Sequence, residues 1–339
     1  MKITESGFPN LSFCKIDALF HVQSDITLPA FTGSTFHGVL GRALSDVRYS
    51  DRREACSECT CRPECRYANL YSYLFETPAD HPFVSQAGAL IRKNQKEYPK
   101  PIILDPPRGG AYAEGDQMML QMTLVGKAIE CLPFAVCGLR QFSQARFGPS
   151  NECLMLDSII DGADSESPVE TLIYNGKTDT YIGPGSVCDL NRIVGDTYKN
   201  LDTANITSNI HIRFLTPLRF MENNRLGATL DFKIFMARIL DRIELLSVHS
   251  PLTEPIDKNA ILDAAAQVKT EKSGLQWHDW ERYSSRQNNR MKFGGYLGDI
   301  VFSGNLIPFL PYIKMGEFLH MGKQTTFGLG KYRVMVSQT

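Results

Sequence analysis

No stretch of the 339-residue chain reaches the roughly 18 consecutive apolar residues that a membrane-spanning helix requires. The first residues of the chain also lack the apolar core of a secretory signal. Hydrophobic residues make up 43% of the chain and charged residues 22%, which is typical of a soluble globular protein. We therefore expect a cytoplasmic protein that makes no contact with a membrane.

The net charge of the chain is also small. The formal net charge of −1 argues against a protein that coats nucleic acid nonspecifically. The charge is unevenly distributed, because residues 282–339 hold eight Lys or Arg against two acidic residues, a local excess of +6. A solvated charged face would explain this excess, but a glycine-rich segment inside it favours binding of a polyanion.

Two common nucleotide-binding motifs are missing from this glycine-rich segment. A Walker A loop places four residues between its glycines and Ser or Thr after its lysine, whereas here five residues separate Gly316 from Gly322 and glutamine follows Lys323. The pair Gly328 and Gly330 lacks the third glycine of a dinucleotide-binding turn. Hydrolysis of nucleoside triphosphates and binding of dinucleotides are therefore excluded.

The glycine-rich segment nevertheless suits an anion. Gly322, Gly328 and Gly330 are interleaved with Lys323 and Lys331. Because glycine has no Cβ, its backbone can approach a phosphate closely, and a lysine beside it supplies a mobile positive charge. A tight hairpin before a final strand would need the same glycines and is compatible with this role.

Nine cysteines are present, and in a reducing compartment we do not expect them to form disulfides. Four of them fall within ten positions: Cys56, Cys59, Cys61 and Cys65. Four thiolates suit a tetrahedral zinc, although the spacing differs from a pair of C-x2-C knuckles. A structural zinc is the leading interpretation, and an iron–sulfur cluster or no metal remain open.

Apolar periodicity predicts the same order of elements twice. A strand at 12–22 precedes a helix that starts near Gly33, and further strands and a helix follow. The second set opens with a strand at 206–220 and a helix at 230–248. This repetition predicts an α+β protein built from two similar modules.

We expect each module to be ferredoxin-like. The N-terminal module would span 1–200 and carry a cysteine-rich insertion at about 50–76, and the C-terminal module would span 205–339 and carry the glycine-rich loop.

At this point the chain resembles a known family. The segment Gly294–Gly304, followed by Gly316–Tyr332, is similar to the signature of the CRISPR-associated endoribonucleases that process precursor CRISPR RNA, members of the RAMP superfamily. Supporting matches lie at Arg213–Arg219, at Arg282–Arg286 and at Leu120–Leu139.

This resemblance implies two tandem ferredoxin-like (RAMP, RRM-like) modules, a precursor CRISPR RNA repeat hairpin as the substrate, and cleavage without a metal cofactor. The ribose 2′-hydroxyl would attack the adjacent phosphate and leave a 2′,3′-cyclic phosphate and a 5′-hydroxyl. Subunits of a CRISPR effector complex are the other partners that it implies.

Such a reaction needs a base, an acid and positive charge near the phosphorane, and histidine can serve as acid or base near neutral pH. In the resembled family an active histidine commonly lies at the start of the first helix, where His37 stands. With Ser34 or Thr35 as the helix cap, the helix dipole would favour the neutral form of His37. A histidine on the rim of an apolar helix face is often only packed, so the catalytic interpretation depends on the resemblance.

The remaining site predictions concern the second module. His320 is the other candidate catalytic residue, although it could only pin the segment before the loop, and Lys323 is the candidate that stabilises the developing charge. Candidate RNA-binding residues in this module are Gly322, Gly328, Gly330, Lys331, Arg282 and Arg286. Tyr283 and Ser285 are the open alternatives for the partner of His37.

Two rival functions remain. RAMP modules also form the backbone of CRISPR effector complexes, so a noncatalytic RNA-binding subunit is the alternative to a nuclease. The combination of His37 with the C-terminal loop favours the nuclease. A zinc-stabilised protein-interaction module would explain the cysteines and leave the basic C-terminal segment unexplained.

Overall fold

The fold is taken from a computed structural model of the chain. The residues it describes are 11–49, 66–78, 80–84, 98–145, 147, 154–162, 171–189, 191–193, 195, 209–222, 225–226, 229–250, 256–284 and 289–336. The chain divides into two compact units. The first unit comprises residues 11–189 and 245–252, and the second comprises residues 190–244 and 253–339.

The first unit contains an antiparallel six-stranded sheet in the order β3-β5-β1-β6-β7-β8. Its strands are β1 (Phe13–Val22), β3 (Ile102–Asp105), β5 (Gln117–Val125), β6 (Leu154–Asp161), β7 (Leu172–Asn175) and β8 (Thr180–Tyr181). Two short strands, β2 (Ile26–Leu28) and β4 (Gly110–Tyr112), pair separately. Side chains of β1 alternate, so that Phe20 is buried while His21 is partly exposed, as expected for a sheet with one covered face.

Three helices of the first unit are α1 (Gly33–Tyr49), α2 (Arg66–Phe75) and α3 (Leu132–Arg140). Helix α1 buries Phe36, Leu40 and Leu44, which recur every four residues along one face. A Cβ at Gly138 would lie 2.5 Å from Leu44 Cδ2, so glycine lets α3 pack closely on α1. The order β1-α1-β3-β5-α3-β6 with these pairings is the βαββαβ arrangement of a ferredoxin-like module.

The second unit repeats the arrangement around a sheet in the order β12-β14-β9-β15. Its strands are β9 (Asn209–Leu218), β12 (Lys269–Ser273), β13 (Gln276–Ser284), β14 (Asn289–Ser303) and β15 (Tyr332–Val336), and a separate hairpin joins β10 (Met221–Glu222) to β11 (Arg225–Leu226). The long β14 pairs with β12 along its C-terminal part and with β13 along its N-terminal part. Strands β12 and β13 together therefore occupy one position of the sheet.

Helices α4 (Phe232–Leu246), α5 (Lys258–Ala265) and α6 (Leu310–Leu319) complete the second unit. The Asp231 carboxylate accepts a hydrogen bond from Ile234 N at 2.7 Å and caps α4. Phe235 on α4 packs against Phe302 of β14 and Tyr332 of β15, with ring centroids 5.5 Å apart in both pairs. Helix α4 therefore covers one face of this sheet.

The predicted α+β class and the repeated order of elements are confirmed. The helix expected at 230–248 is α4, and the strand expected at 206–220 is β9, which continues through Pro217. The predicted module boundary near residue 200 stays a prediction, because residues 196–208 lie outside the described part of the chain. Within the described residues, none of the helices has the length and apolar character to cross a membrane.

Candidate functional site

His37 lies in the first unit, as the fifth residue of α1. The helix begins at Gly33, and Phe36 N donates to Thr32 O at 3.0 Å. The prediction that Ser34 or Thr35 caps the helix is therefore wrong, because both residues lie inside it and Thr32 precedes it. His37 therefore lies beyond the first turn of the helix, where the helix dipole acts most strongly.

The imidazole of His37 is half-buried against helix α2. Its ring centroid lies 5.0 Å from that of Phe75, and the ring of Tyr71 stacks on Phe75 with centroids 5.3 Å apart. His37 and Tyr71 thus contact the same aromatic ring. Tyr71 was not predicted as a neighbour of the histidine. The four-residue spacing of Tyr71 and Phe75 indicates only that the two rings share one face of a helix.

The glycine-rich loop of the second unit, residues 320–331, has an unusual backbone. Five of its residues have positive φ: His320 (55°), Gly322 (84°), Gln324 (63°), Gly328 (83°) and Gly330 (74°). Two of the five carry side chains, for which this conformation is unfavourable. The loop is therefore held in its shape by contacts with the rest of the unit.

Those contacts come from the end of β9 and the residues after it. Lys323 N donates to Arg219 O at 2.7 Å, Gly330 N to Pro217 O at 3.1 Å, and Met321 N to Gly330 O at 3.1 Å. The Thr216 hydroxyl is used twice, since it donates to Gly328 O at 2.7 Å and accepts from Lys331 N at 2.8 Å. These four amides are thus occupied by protein groups.

Two glycines of the loop lie very close to backbone carbonyl groups of the protein. A Cβ at position 322 would overlap the carbonyl oxygen of Arg219, and one at position 330 would overlap that of Met321. The close approach that glycine permits at these two positions is an approach to protein backbone. Side-chain cations, more than these amides, are consequently what the loop offers to an anion.

Among the described residues, three cations with exposed or partly exposed side chains lie in the loop or beside it. Lys323 is exposed, and its Nζ lies 3.0 Å from Met221 Sδ. Lys331 is partly exposed, and so is Arg219, whose guanidinium donates to Gly294 O at 2.9 Å. Arg219 was not predicted as a site residue, and its backbone contacts the loop through the hydrogen bond from Lys323 N.

His320 differs from these cations because its side chain is only 3% exposed. With φ 55° and ψ 168° it reverses the chain directly after α6. In this conformation its imidazole cannot reach a phosphate outside the protein. The arrangement agrees with the alternative in which His320 pins the segment before the loop.

Other predicted site residues fall partly or wholly outside the described chain. Arg282 and Tyr283 lie in β13, where Arg282 pairs with Met291, and Arg286 and Ser285 lie outside the described residues. The cysteine cluster of Cys56, Cys59, Cys61 and Cys65 also lies outside them. Within the described residues, no group of three or more His, Cys, Asp or Glu side chains could hold a metal ion, so the zinc stays a prediction.

The structure thus gathers His320, Gly322, Lys323 and Lys331 in one loop of the second unit, and His37 belongs to the first unit. Comparison with known proteins follows the same division. Residues 11–184 match the family model AF_1859_N, described as an N-terminal domain, and residues 212–332 match that of CRISPR-associated endoribonuclease Cas6. No curated protein matches the sequence.

Solved structures share the fold of almost the whole chain. A Cas6 product complex matches with a TM-score of 0.54 and 16% identity, covering 97% of this chain and 100% of that one. Thermus thermophilus Cas6 matches with a TM-score of 0.52 and 16% identity, covering 95% and 99%. A chain of a partial Cas6-RT-Cas1–Cas2 complex matches with a TM-score of 0.56 and 13% identity. This match covers 98% of the present chain and 47% of that longer chain.

The two ferredoxin-like units share the fold of these solved Cas6 structures. The chain belongs to the AF_1859_N family, whose model matches just over half of it, and the second unit carries the segment that matches the Cas6 endoribonuclease model. The predicted family resemblance is confirmed.

Proposed function

We propose that this chain is a metal-independent endoribonuclease that cleaves precursor CRISPR RNA within its repeats and so produces mature guide RNAs. One observation carries the proposal: the segment that matches an endoribonuclease family, residues 212–332, contains the cation-bearing loop with exposed Lys323. The substrate is the repeat hairpin, and the structural similarity to a Cas6 product complex supports it.

The reaction uses only atoms of the RNA and proton-transfer groups of the protein. The 2′-oxygen attacks the neighbouring phosphorus, the bond from phosphorus to the 5′-oxygen breaks, and the products are a 2′,3′-cyclic phosphate and a 5′-hydroxyl. One proton leaves the 2′-hydroxyl and one reaches the departing 5′-oxygen. Because the nucleophile belongs to the substrate, the reaction does not require a metal-activated water.

His37 is the proposed proton-transfer residue, because it is the half-exposed histidine at the position that the family resemblance indicates. Tyr71, which packs on the same Phe75 ring, is a candidate second group with a hydroxyl. Lys323 is proposed to stabilise the extra negative charge of the phosphorane. His320 is proposed to hold the loop and not to transfer a proton, because its side chain is buried.

RNA binding is assigned to the cations of the second unit, Lys323, Lys331, Arg282 and Arg286, with Gly322, Gly328 and Gly330 shaping the loop between them. Further CRISPR proteins are proposed partners, since the fold is shared with a chain of a partial Cas6-RT-Cas1–Cas2 complex. A structural zinc on the four clustered cysteines is kept as a separate proposal, and metal analysis of protein purified without added zinc tests it.

The deciding experiment incubates purified protein with the repeat RNA of its own locus in EDTA. We expect cleavage at one position, with a cyclic-phosphate end that is resistant to phosphatase until acid opens it. A repeat RNA carrying a 2′-deoxy nucleotide at the cut is the matched control, and it should bind and remain intact. Binding of the normal RNA without cleavage would instead identify a noncatalytic RAMP subunit.

A further inference from the structure

A buried arginine lies next to the loop. Arg242 on α4 is 7% exposed and follows the buried apolar residues Ile239 and Leu240 on the same helix. Removing a guanidinium from water is unfavourable unless its donors are paired. Burial lowers the pKa of Arg242 to about 9, so the side chain still carries its charge at neutral pH.

The donors of Arg242 are only partly used. Its Nε donates to Leu319 O at 3.2 Å. Its Nη2 has no hydrogen-bond partner among the residues that the structure describes. An arginine retained in this way does not serve stability alone, since an apolar side chain of similar volume would avoid the unpaired donor.

The acceptor of this hydrogen bond, Leu319 O, lies at the carboxyl end of a helix. Leu319 is the last residue of α6, and the final carbonyls of a helix lack partners within the helix and form the negative end of its dipole. The guanidinium of Arg242 therefore satisfies one of these carbonyls and neutralises the helix end. The next residue is His320, which turns the chain with φ 55° and ψ 168° into the loop.

The backbone at His320 is of a kind that is nearly restricted to glycine. It is fixed on one side by Leu319 O, which Arg242 holds, and on the other side by the hydrogen bond from Met321 N to Gly330 O. Loss of either contact would allow His320 to relax toward negative φ. The positions of Lys323 and of the rest of the loop would change with it.

We infer that Arg242 is a positioning residue: it anchors the carboxyl end of α6 and thereby holds the loop of residues 320–331 in its binding conformation. The RNA-binding part of this inference rests on the proposed function, whereas the ordering of the loop does not. The fold keeps an incompletely paired cation in its interior because the loop needs a fixed starting point.

The first test needs no RNA. Arg242→Met should leave the thermal midpoint equal to or higher than that of the natural protein, and should accelerate amide hydrogen exchange in residues 320–331 by about tenfold or more. Arg242→Lys, which retains the charge and a donor, should exchange more slowly than Arg242→Met. Arg140→Met, an exposed arginine of the first unit, is the control and should not change exchange in the loop.

Two results would overturn the inference. One is unchanged exchange in the loop. The other is a lower midpoint with faster exchange throughout the second unit, which would make Arg242 an ordinary structural residue. If Arg242→Met does not fold, the same criteria apply to Arg242→Gln, which removes the charge and keeps a polar side chain.

The second test measures the affinity for uncleavable repeat RNA in a double-mutant cycle with Lys323→Ala. Arg242→Met should weaken binding about tenfold, and Lys323→Ala should have little further effect in that background, because the lysine is already misplaced. Additive effects, or unchanged affinity, would contradict a role through the loop. Failure of the natural protein to bind RNA would reject the proposed function and leave the exchange result standing.

Discussion

The two units have the same strand order and differ in which segment carries chemistry. In the first unit, the helix after the first strand carries His37, whereas the equivalent helix α4 of the second unit contains no histidine and starts with the Asp231 cap. The sequence before the fourth strand of each ferredoxin-like arrangement shows the opposite contrast. In the second unit, residues 320–331 contain three glycines and two lysines, whereas residues 141–153, which precede β6 in the first unit, contain one glycine and no lysine.

Backbone conformation divides in the same way. In the second unit, five of the residues between 320 and 330 have positive φ. In the described part of the first unit, such residues are spread over separate turns, such as Thr77, Gly115 and Asp179. A shared fold therefore does not distribute positive-φ residues in the same way, and their concentration in one loop supports the binding role proposed for that loop.

The largest expected effect separates the proposed proton-transfer histidine of the first unit from a histidine of the second. His37→Ala should lower single-turnover cleavage by about 10²- to 10⁴-fold and leave the affinity for RNA within about twofold. His211→Ala is the matched control, because His211 donates to Asp299 at 2.7 Å in the second unit. An unchanged rate in His37→Ala, or an equal loss in His211→Ala, would break the proposed division.

The next effect compares two glycines. Gly330→Ala should lower the free energy of unfolding by on the order of 2 kcal/mol and weaken RNA binding, because φ is 74° and the new Cβ would overlap Met321 O. Gly38→Ala, in helix α1 with no atom within 4 Å of the new Cβ, should instead stabilise by about 0.5–1 kcal/mol. Urea unfolding and filter binding measure both, and equal behaviour of the two variants would refute the argument.

A smaller effect tests the cations. Lys323→Ala should weaken binding of uncleavable RNA roughly fivefold and reduce the slope of log affinity against log salt by about 0.7. Lys127→Ala, an exposed lysine of the first unit whose ammonium lies 5.7 Å from the Phe83 ring centroid, should change neither quantity. The same loss in both variants would show that the lysines act only through net charge.

The smallest effect concerns pH. The hydrogen bond from Arg213, together with that from His211, lowers the pKa of the Asp299 carboxyl below its ordinary value of 3.8. Because a lowered carboxyl pKa stabilises the fold above the ordinary value, the benefit should be lost as the pH falls below 3.8. Asp299→Asn should therefore lower the melting temperature by a few degrees at most at pH 7, and the difference should shrink as the pH falls below 3.8.

Asp157→Asn is the comparison in the first unit, where the carboxylate lies 3.5 Å from His21 Nε2. Its effect at pH 7 should be smaller than that of Asp299→Asn, because Asp299 accepts a hydrogen bond at 2.7 Å from an arginine, which is always charged, whereas His21 lies 3.5 Å from Asp157. A melting-temperature difference for Asp299→Asn that does not shrink as the pH falls below 3.8 would show that the residue acts by packing and not by charge.

Much of the fold was predictable, because it depends on local periodicity. The alternation of β1 and the four-residue spacing of Phe36, Leu40 and Leu44 identified the first strand and helix directly. The position of His37 at the beginning of that helix followed from the same pattern. Its cap did not, because Ser34 and Thr35 are equally good cap residues by composition and only the hydrogen bonds locate the helix start.

The site was less predictable, because its contacts join distant parts of the chain. One hydrogen bond joins Thr216 to Gly328, 112 residues further along the chain, and no local sequence pattern predicts this contact. Burial of His320 and Arg242 likewise arises from packing of α4 and α6 against the loop. The sequence suggested that the glycines of the loop approach a phosphate. At positions 322 and 330 they instead accommodate protein backbone.

The pairing of β15 with β9 also fixes when the loop can form during synthesis. Strand β9 leaves the ribosome early in the second unit, but its partner for the loop side of the sheet, residues Tyr332–Val336, is made more than a hundred residues later. The hydrogen bonds from Lys331 N to Thr216 and from Lys323 N to Arg219 also join residues more than a hundred positions apart. We therefore expect a nascent chain to display no ordered loop until its final strand has been made.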